Sequence, residues 1–236
     1  MTERGRSALV RGPQQLAIGP SRLEWTGEAL VIDVAEWTFP LPRRLLGRVQ
    51  VRPRALVPLA LALDRAGRHW WSPIATRAHV EVEFTRPRWS WVGQGYLDCN
   101  WGDQPLEDGF VAWQWSRAHL RCDDLVFYEG RCRDGSPFAH GLRIDAKGRA
   151  EPAPLPPAVT LPPTRWRVPR CTRADGGGPV HIRRTLEDTP FYARTALDTR
   201  LMGEPAEGIH ESILLDRLRQ PIVRLMLPFR MPRRPR

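Results

Sequence analysis

Lysine is all but missing from this chain. Lys147 is the only one, so 35 of the 36 basic residues are arginine. A formal charge of +10 and a pI near 10.7 would suit a nucleic-acid binder if the arginines were gathered in one patch. They run instead from Arg4 to Arg236, and only the tail Arg230-Met231-Pro232-Arg233-Arg234-Pro235-Arg236 is dense. Such a skew, with abundant Ala, Gly and Pro, is what a GC-rich bacterial genome imposes. No nucleic-acid partner is expected; an anionic membrane surface, where each surface Arg contributes roughly 1 kcal/mol, is a better use of the charge, and a solvated basic surface without a dedicated partner accounts for it equally well.

Paired cysteines are lacking too. Cys99, Cys122, Cys132 and Cys171 form no Cys-x-x-Cys and have no His at zinc spacing, which argues against a structural metal site and for reduced thiols in a cytosolic protein. The start, Met1-Thr2-Glu3-Arg4-Gly5-Arg6, has no apolar core of a signal peptide. The longest apolar stretch, 55–63, contains Pro58 and falls far short of the ~20 residues of a membrane span. Neither a phosphate loop nor a dinucleotide fingerprint occurs.

What is present is strand-like. Hydrophobic residues make up 42% of 236 residues, and 24 prolines and 19 glycines punctuate short apolar runs, which favours many strands and turns over a few long helices. Alternation predicts strands at 30–34, 45–51, 79–84 and 89–92, then 110–120, 125–133 and 138–145, with Asp134-Gly135 as a hairpin turn. Residues 150–163 form a proline-rich, extended connection. The remainder, 180–186, 191–202, 210–214 and 223–229, is again strand-like, although 212–227 has room for a helical turn. With no βαβ rhythm, the chain is expected to be all-β, in antiparallel barrels or sandwiches. Ten tryptophans fit a barrel core and rim, and some would line a cavity for a flat apolar ligand. Trp113 with Trp115, and Trp89 with Trp91, stand two apart and share strand faces.

The densest chemistry lies in Gly95-Tyr96-Leu97-Asp98-Cys99-Asn100-Trp101-Gly102-Asp103-Gln104-Pro105-Leu106-Glu107, followed by Phe110 and Trp113-Gln114-Trp115-Ser116-Arg117. In an extended chain Tyr96, Asp98 and Asn100 point one way, and upstream His69 and Trp71 share a face. By residue type alone, Tyr-x-Asp reads more readily as a structural hydrogen-bonded pair than as a catalytic one, and His69 more readily as a core or rim histidine. Asp103, Glu107 and Asp108 are read as turn and scaffold residues rather than the paired carboxylates of a glycosidase. His79, His119, His140, His181 and His210 show no ligand spacing.

This string resembles the carotenoid 1,2-hydratase, or hydroxyneurosporene synthase, family, whose pattern runs roughly Gly-Tyr-x-Asp-x-Asn-x-Gly-x-x-Pro-Leu-Glu and then Phe-x-x-Trp-x-Trp-Ser-Arg. The similarity extends to Leu186-Glu187-Asp188-Thr189-Pro190-Phe191-Tyr192-Ala193-Arg194, to His210-Glu211-Ser212 and to Pro228-Phe229-Arg230-Met231-Pro232. It implies two lipocalin-like antiparallel β-barrels, here 1–92 and 93–236, with Gly95–Glu107 at the junction and the active site close by. Because family members carry further strands upstream, the first barrel is expected to be incomplete at its N-terminus. The resemblance implies the catalytic set His69, Trp71, Tyr96 and Asp98, and an enzyme in the cytoplasm, peripheral to the inner membrane, acting on a lipophilic carotenoid-like substrate. Hydration of an unactivated alkene needs a protonated acid, support for a tertiary carbocation and one placed water. A carboxyl among aromatics favours its neutral form, which suits Asp98. Aromatic faces attract a cation, which suits Trp71 and Tyr96. His69, with Tyr96 or Asn100 as partner, would hold the water or take its proton. This chemistry asks for no metal and no organic cofactor. A non-catalytic lipocalin-like polyene carrier, or a pericyclase of the same two-barrel superfamily, are the alternatives.

Overall fold

The computed structural model describes residues 4–38 and 41–226. The N-terminal Met1-Thr2-Glu3, the basic tail and the Pro228–Pro232 motif lie outside the described residues. Strands dominate and pair antiparallel throughout, as the alternating sequence predicts. Among the described residues no helix is long and apolar enough to cross a membrane, and all four cysteines are free thiols.

The chain folds as two compact units, each built from separated segments. The first takes the described residues of Met1–Leu56, Ala75–Leu97 and Arg224–Arg236. Its meander runs through β1 (Leu9–Arg11), β2 (Gln15–Ile18), β3 (Ser21–Trp25), β4 (Leu30–Trp37) and β5 (Arg44–Pro53). After β6 (Leu61–Ala62) comes β7 (His69–Arg86), which pairs with β5 so that Val49 meets Val82 and Val51 meets Val80. Ala78, Val80 and Val82 are buried there, one face of an alternating strand. Pro87 turns the chain into β8 (Arg88–Gly102), which pairs with β7.

The second unit takes Val57–Ile74 and Asp98–Val223. After the single turn α1 (Leu106–Gly109) come β9 (Phe110–His119), β10 (Asp124–Cys132) and β11 (Pro137–Ile144). The expected Asp134-Gly135 turn joins β10 to β11: Gly135 sits at φ 86°, and Asp134 accepts from the Ser136 backbone N–H (2.9 Å), a turn that a short acceptor side chain and a left-handed glycine favour. The proline-rich connection holds β12 (Ala150–Pro152) and β13 (Ala158–Leu161), and then come β14 (Arg170–Arg173), β15 (His181–Asp188), β16 (Tyr192–Leu201) and β17 (Glu204–Leu214). The sheet order is β12-β11-β10-β9-β17-β16-β15, with β13 and β14 as a separate pair. The expectation of a strand at 223–229 is corrected for its described part, and the helical turn for which 212–227 had room is present: α2 (Leu215–Leu218) and α3 (Pro221–Met226) are helical. Pro221 opens α3, where its fixed φ suits the first turn and no N–H is needed.

The register gives this sheet two distinct faces. On one, Tyr128 stands opposite Trp115, Trp115 opposite Glu211, and Glu211 opposite Arg194. On the other, Phe127, Ser116, His210 and Thr195 align, as do Glu129, Gln114 and Ser212. That second face carries a buried core of Ala118, Leu125, Phe127, Leu201 and Ala206, packed by Ala153 and Leu155.

Candidate active site

Three of the residues expected to do chemistry, His69, Trp71 and Asp98, gather at the first face of this sheet. The segment 61–71 is a hairpin in which Leu61 pairs with Trp71 and Ala62 with Trp70. It is tied to the sheet where the Ala62 carbonyl lies 3.0 Å from His140 Nε2. Its turn is closed by Asp64, whose Oδ1 accepts the Arg68 N–H (3.1 Å), and by Gly67 at φ 65°.

Trp71 is wholly buried. Its Nε1–H donates to Asp98 Oδ2 at 2.9 Å. Its ring meets Tyr128 edge-on, with centroids 5.3 Å apart. Trp113 and Phe138 pack edge-on against Tyr128 (5.9 and 5.5 Å), and Phe110 packs against both. The arc closes on His69, whose imidazole centroid lies 4.6 Å from that of Phe110. Such edge-to-face pairs add stabilisation beyond burial, about 0.5–1.5 kcal/mol each. Asp98 therefore sits half-buried against an aromatic wall. Two residues on, Asn100 Oδ1 accepts the Tyr128 hydroxyl at 3.3 Å. Burial chiefly, then the charges of Asp98 and Glu211, push the Tyr128 phenol far above its ordinary value, so it remains a neutral donor.

An indole N–H can only donate. Asp98 Oδ2 must therefore accept from Trp71 whether the carboxyl is charged or neutral, and in the neutral form the proton belongs on Oδ1. The arrangement thus assigns Oδ2 to anchoring by Trp71.

Trp71 and Asp98, expected as partners in chemistry from distant stretches of sequence, are in direct contact. Tyr96 is half-buried two residues before Asp98 on β8. His69 departs from expectation in its partner. Its Nδ1 lies 2.6 Å from Asp64 Oδ2, not against Tyr96 or Asn100, while Nε2 is buried without a hydrogen-bond partner among the described residues. The pairing is local: Asp64 and His69 stand at opposite ends of one tight turn. The turn-type string Asp64-Arg65-Ala66-Gly67 was the signal that could have found it.

Sequence reasoning also missed Glu211, which was noted only within a similar stretch. Its carboxyl lies on the same face as Tyr128 and Trp115 and receives Arg194 Nε at 3.0 Å. Burial is the main reason its proton affinity is raised; Arg194 and the Tyr192 hydroxyl oppose this, and the Asp98 and Glu187 carboxylates add to it. Two carboxyl groups that feel one another tend to retain a proton between them. Among the described residues no cluster of three or more His, Cys, Asp or Glu is placed to hold a metal ion.

The family model for carotenoid hydratase CrtC matches residues 1–236. An acyclic carotenoid 1,2-hydratase from Thiocapsa roseopersicina is 50% identical over 234 residues, and one from Rubrivivax gelatinosus is 44% identical over 235. Each alignment takes in 99% of this chain but 58% of the relative, so the chain spans little more than half the length of these relatives. Among solved structures, a protein assigned as AttH from Nitrosomonas europaea is similar with a TM-score of 0.53 at 15% identity, over 87% of this chain and 71% of that one. This last is a likeness of fold alone.

Proposed function

This chain belongs to the carotenoid hydratase CrtC family, and on that premise we propose that it adds water across the terminal C1=C2 bond of an acyclic carotenoid, giving a tertiary alcohol. The observation that carries the reading is the Trp71–Asp98 hydrogen bond at 2.9 Å, made by a wholly buried indole to a half-buried carboxyl. Asp98, protonated on Oδ1, gives its proton to C2. The π electrons form the new C–H bond and leave a tertiary cation at C1. Water attacks C1, and its surplus proton passes to His69, from which solvent exchange restores the acid on Asp98.

Trp71, buried on every side, acts through its N–H to orient the acid. Tyr96, two residues before Asp98 on β8, is the ring assigned to the cation in this reading, an attraction worth about 2 kcal/mol or more when water is excluded. The substrate is a membrane-dissolved hydrocarbon, and the net charge of +10 supports a cytoplasmic enzyme held peripherally at an anionic inner membrane.

The test is Asp98→Asn, assayed by conversion of an acyclic carotenoid in isotopically labelled water, with oxygen and hydrogen incorporation read by mass spectrometry. The side chain keeps its shape and loses its transferable proton, so the rate falls by at least the 10²–10⁴-fold typical of general acid catalysis, while polyene binding survives. An unchanged rate refutes the mechanism. If the unaltered chain binds polyenes and hydrates none, the carrier reading replaces it.

A further inference from the structure

We propose that Asp64 is a positioning residue for this reaction: it holds His69 in the tautomer whose Nε2 presents a bare lone pair to one buried water molecule. The inference rests on the hydratase reading and extends it to a residue outside the expected catalytic set.

The geometry is local and well determined by its hydrogen bonds. Asp64 uses both oxygens, Oδ1 for the Arg68 backbone N–H at 3.1 Å and Oδ2 for His69 Nδ1 at 2.6 Å. An ionised carboxylate only accepts, so Nδ1 must carry the hydrogen. The carboxyl is kept ionised. Burial, the largest single influence, raises its proton affinity, but hydrogen bonds from the His69 side chain and from the backbone N–H groups of Arg68 and Ala66 hold it below its ordinary value. In the neutral ring Nε2 is then bare.

The ring has little freedom to escape this assignment. Its side chain is 1% exposed, the ring packs against Phe110 at an interplanar angle of 59°, and the backbone closes in at two glycines. A Cβ on Gly102 would come within 2.9 Å of His69 Cδ2, and a Cβ on Gly109 would collide with His69 Cε1. Glycine at both positions keeps side-chain atoms off these two edges of the imidazole. A buried polar atom without a partner is rare in folded proteins and calls for an explanation. Nε2 is such an atom, and a water bound to it would be both its missing partner and the nucleophile of a hydration. Third groups that fix the tautomer of a catalytic imidazole recur wherever the ring acts as a base.

Two measurements decide the matter. Selective ¹⁵N-histidine labelling of the unaltered protein, with the His69 signals identified by their loss in His69→Gln, should show Nδ1 protonated and Nε2 bare. A spectrum with the hydrogen on Nε2 overturns the proposal without any question of misfolding. In the kinetic arm, Asp64→Asn lowers kcat by about 10²-fold, within the range lost when a general base is removed, with KM little changed. Made in a His69→Gln background, the same substitution produces no further loss, because residues acting as one unit are non-additive. Equal losses in both backgrounds, or an unchanged kcat, mean that Asp64 does no more than close its turn. Should the unaltered chain hydrate no acyclic carotenoid, the hydratase reading fails and this role fails with it. Hydration with additive losses fails the Asp64 role alone.

Discussion

Acid should loosen the second unit well above the pH at which carboxylates titrate, because of one imidazole. His210 is 1% exposed on the second face of the sheet. Its Nε2 lies 3.0 Å from Ser212 Oγ, and that hydroxyl donates to Gln114 Oε1 at 2.5 Å. With its hydrogen spent on Gln114, Ser212 can only accept from His210, so the ring is neutral with the hydrogen on Nε2. Burial first, and the Arg170 charge second, push its pKa down to about 3. An unfolded histidine titrates near 6.5, so between those values the unfolded chain binds the extra proton and the folded one refuses it. The stabilisation is complete above pH 6.5 and is lost as pH falls toward 3. At 1.36 kcal/mol per unit, lowering the pH from 7.5 to 4.5 costs about 2.7 kcal/mol through this group alone. His210→Gln keeps a donor for Ser212 and removes the titration. Urea unfolding of both proteins at pH 7.5 and 4.5 cancels the carboxylates they share, Glu211 included, and the unaltered protein should lose about 2–3 kcal/mol more than the variant. Equal losses would refute the argument.

Gly109→Ala forces a methyl group into the His69 imidazole; overpacking of this kind costs roughly 1–3 kcal/mol, so thermal melts should show a lower Tm, and an unchanged one means the ring yields freely. Binding to anionic vesicles should weaken as salt rises, since exposed charges are screened beyond roughly 10 Å at 0.1 M, and equal binding to neutral and anionic vesicles at low salt would remove charge as the cause.

Much of this was legible in the sequence for one reason: strand alternation is a local signal. It located β4, β5 and β9–β11, put Trp113 and Trp115 on one face, and set Asp134-Gly135 at a turn. It failed at 223–226, where an apolar run too short to show its period is helical behind Pro221, an ambiguity inherent in short apolar segments. Asp98 and Trp71 were singled out through a family pattern. That Trp71 donates to Asp98 could not be read from residues 27 apart. Tyr128 and Glu211 escaped notice for the same reason. Each joins the site by lateral pairing, Tyr128 through Trp115 to Glu211, and strand order is not written in any one strand.

Lateral pairing also explains what the buried polar residues on the opposite face contribute. Side chains alternate along a strand, so a slip of β17 by one residue would bring His210 or Ser212 to the aromatic face and bury Glu211 behind it. A core of small and branched apolar residues resists such a slip only weakly, whereas hydrogen-bonded side chains are specific to one register. Gln114 meets Ser212 directly across the β9–β17 pair and accepts both its hydroxyl and the Cys171 N–H of β14. Arg170, buried on β14, donates to Thr195 on β16, the residue opposite His210. On β10, Glu129 takes Arg173 Nε at 2.9 Å. The strand β14 thus clamps β10, β9 and β16 at single positions, and Ser212 extends the clamp to β17. The register that keeps Glu211 beside Trp115, and so keeps a second carboxyl within electrostatic reach of Asp98, is set by groups that never face the site.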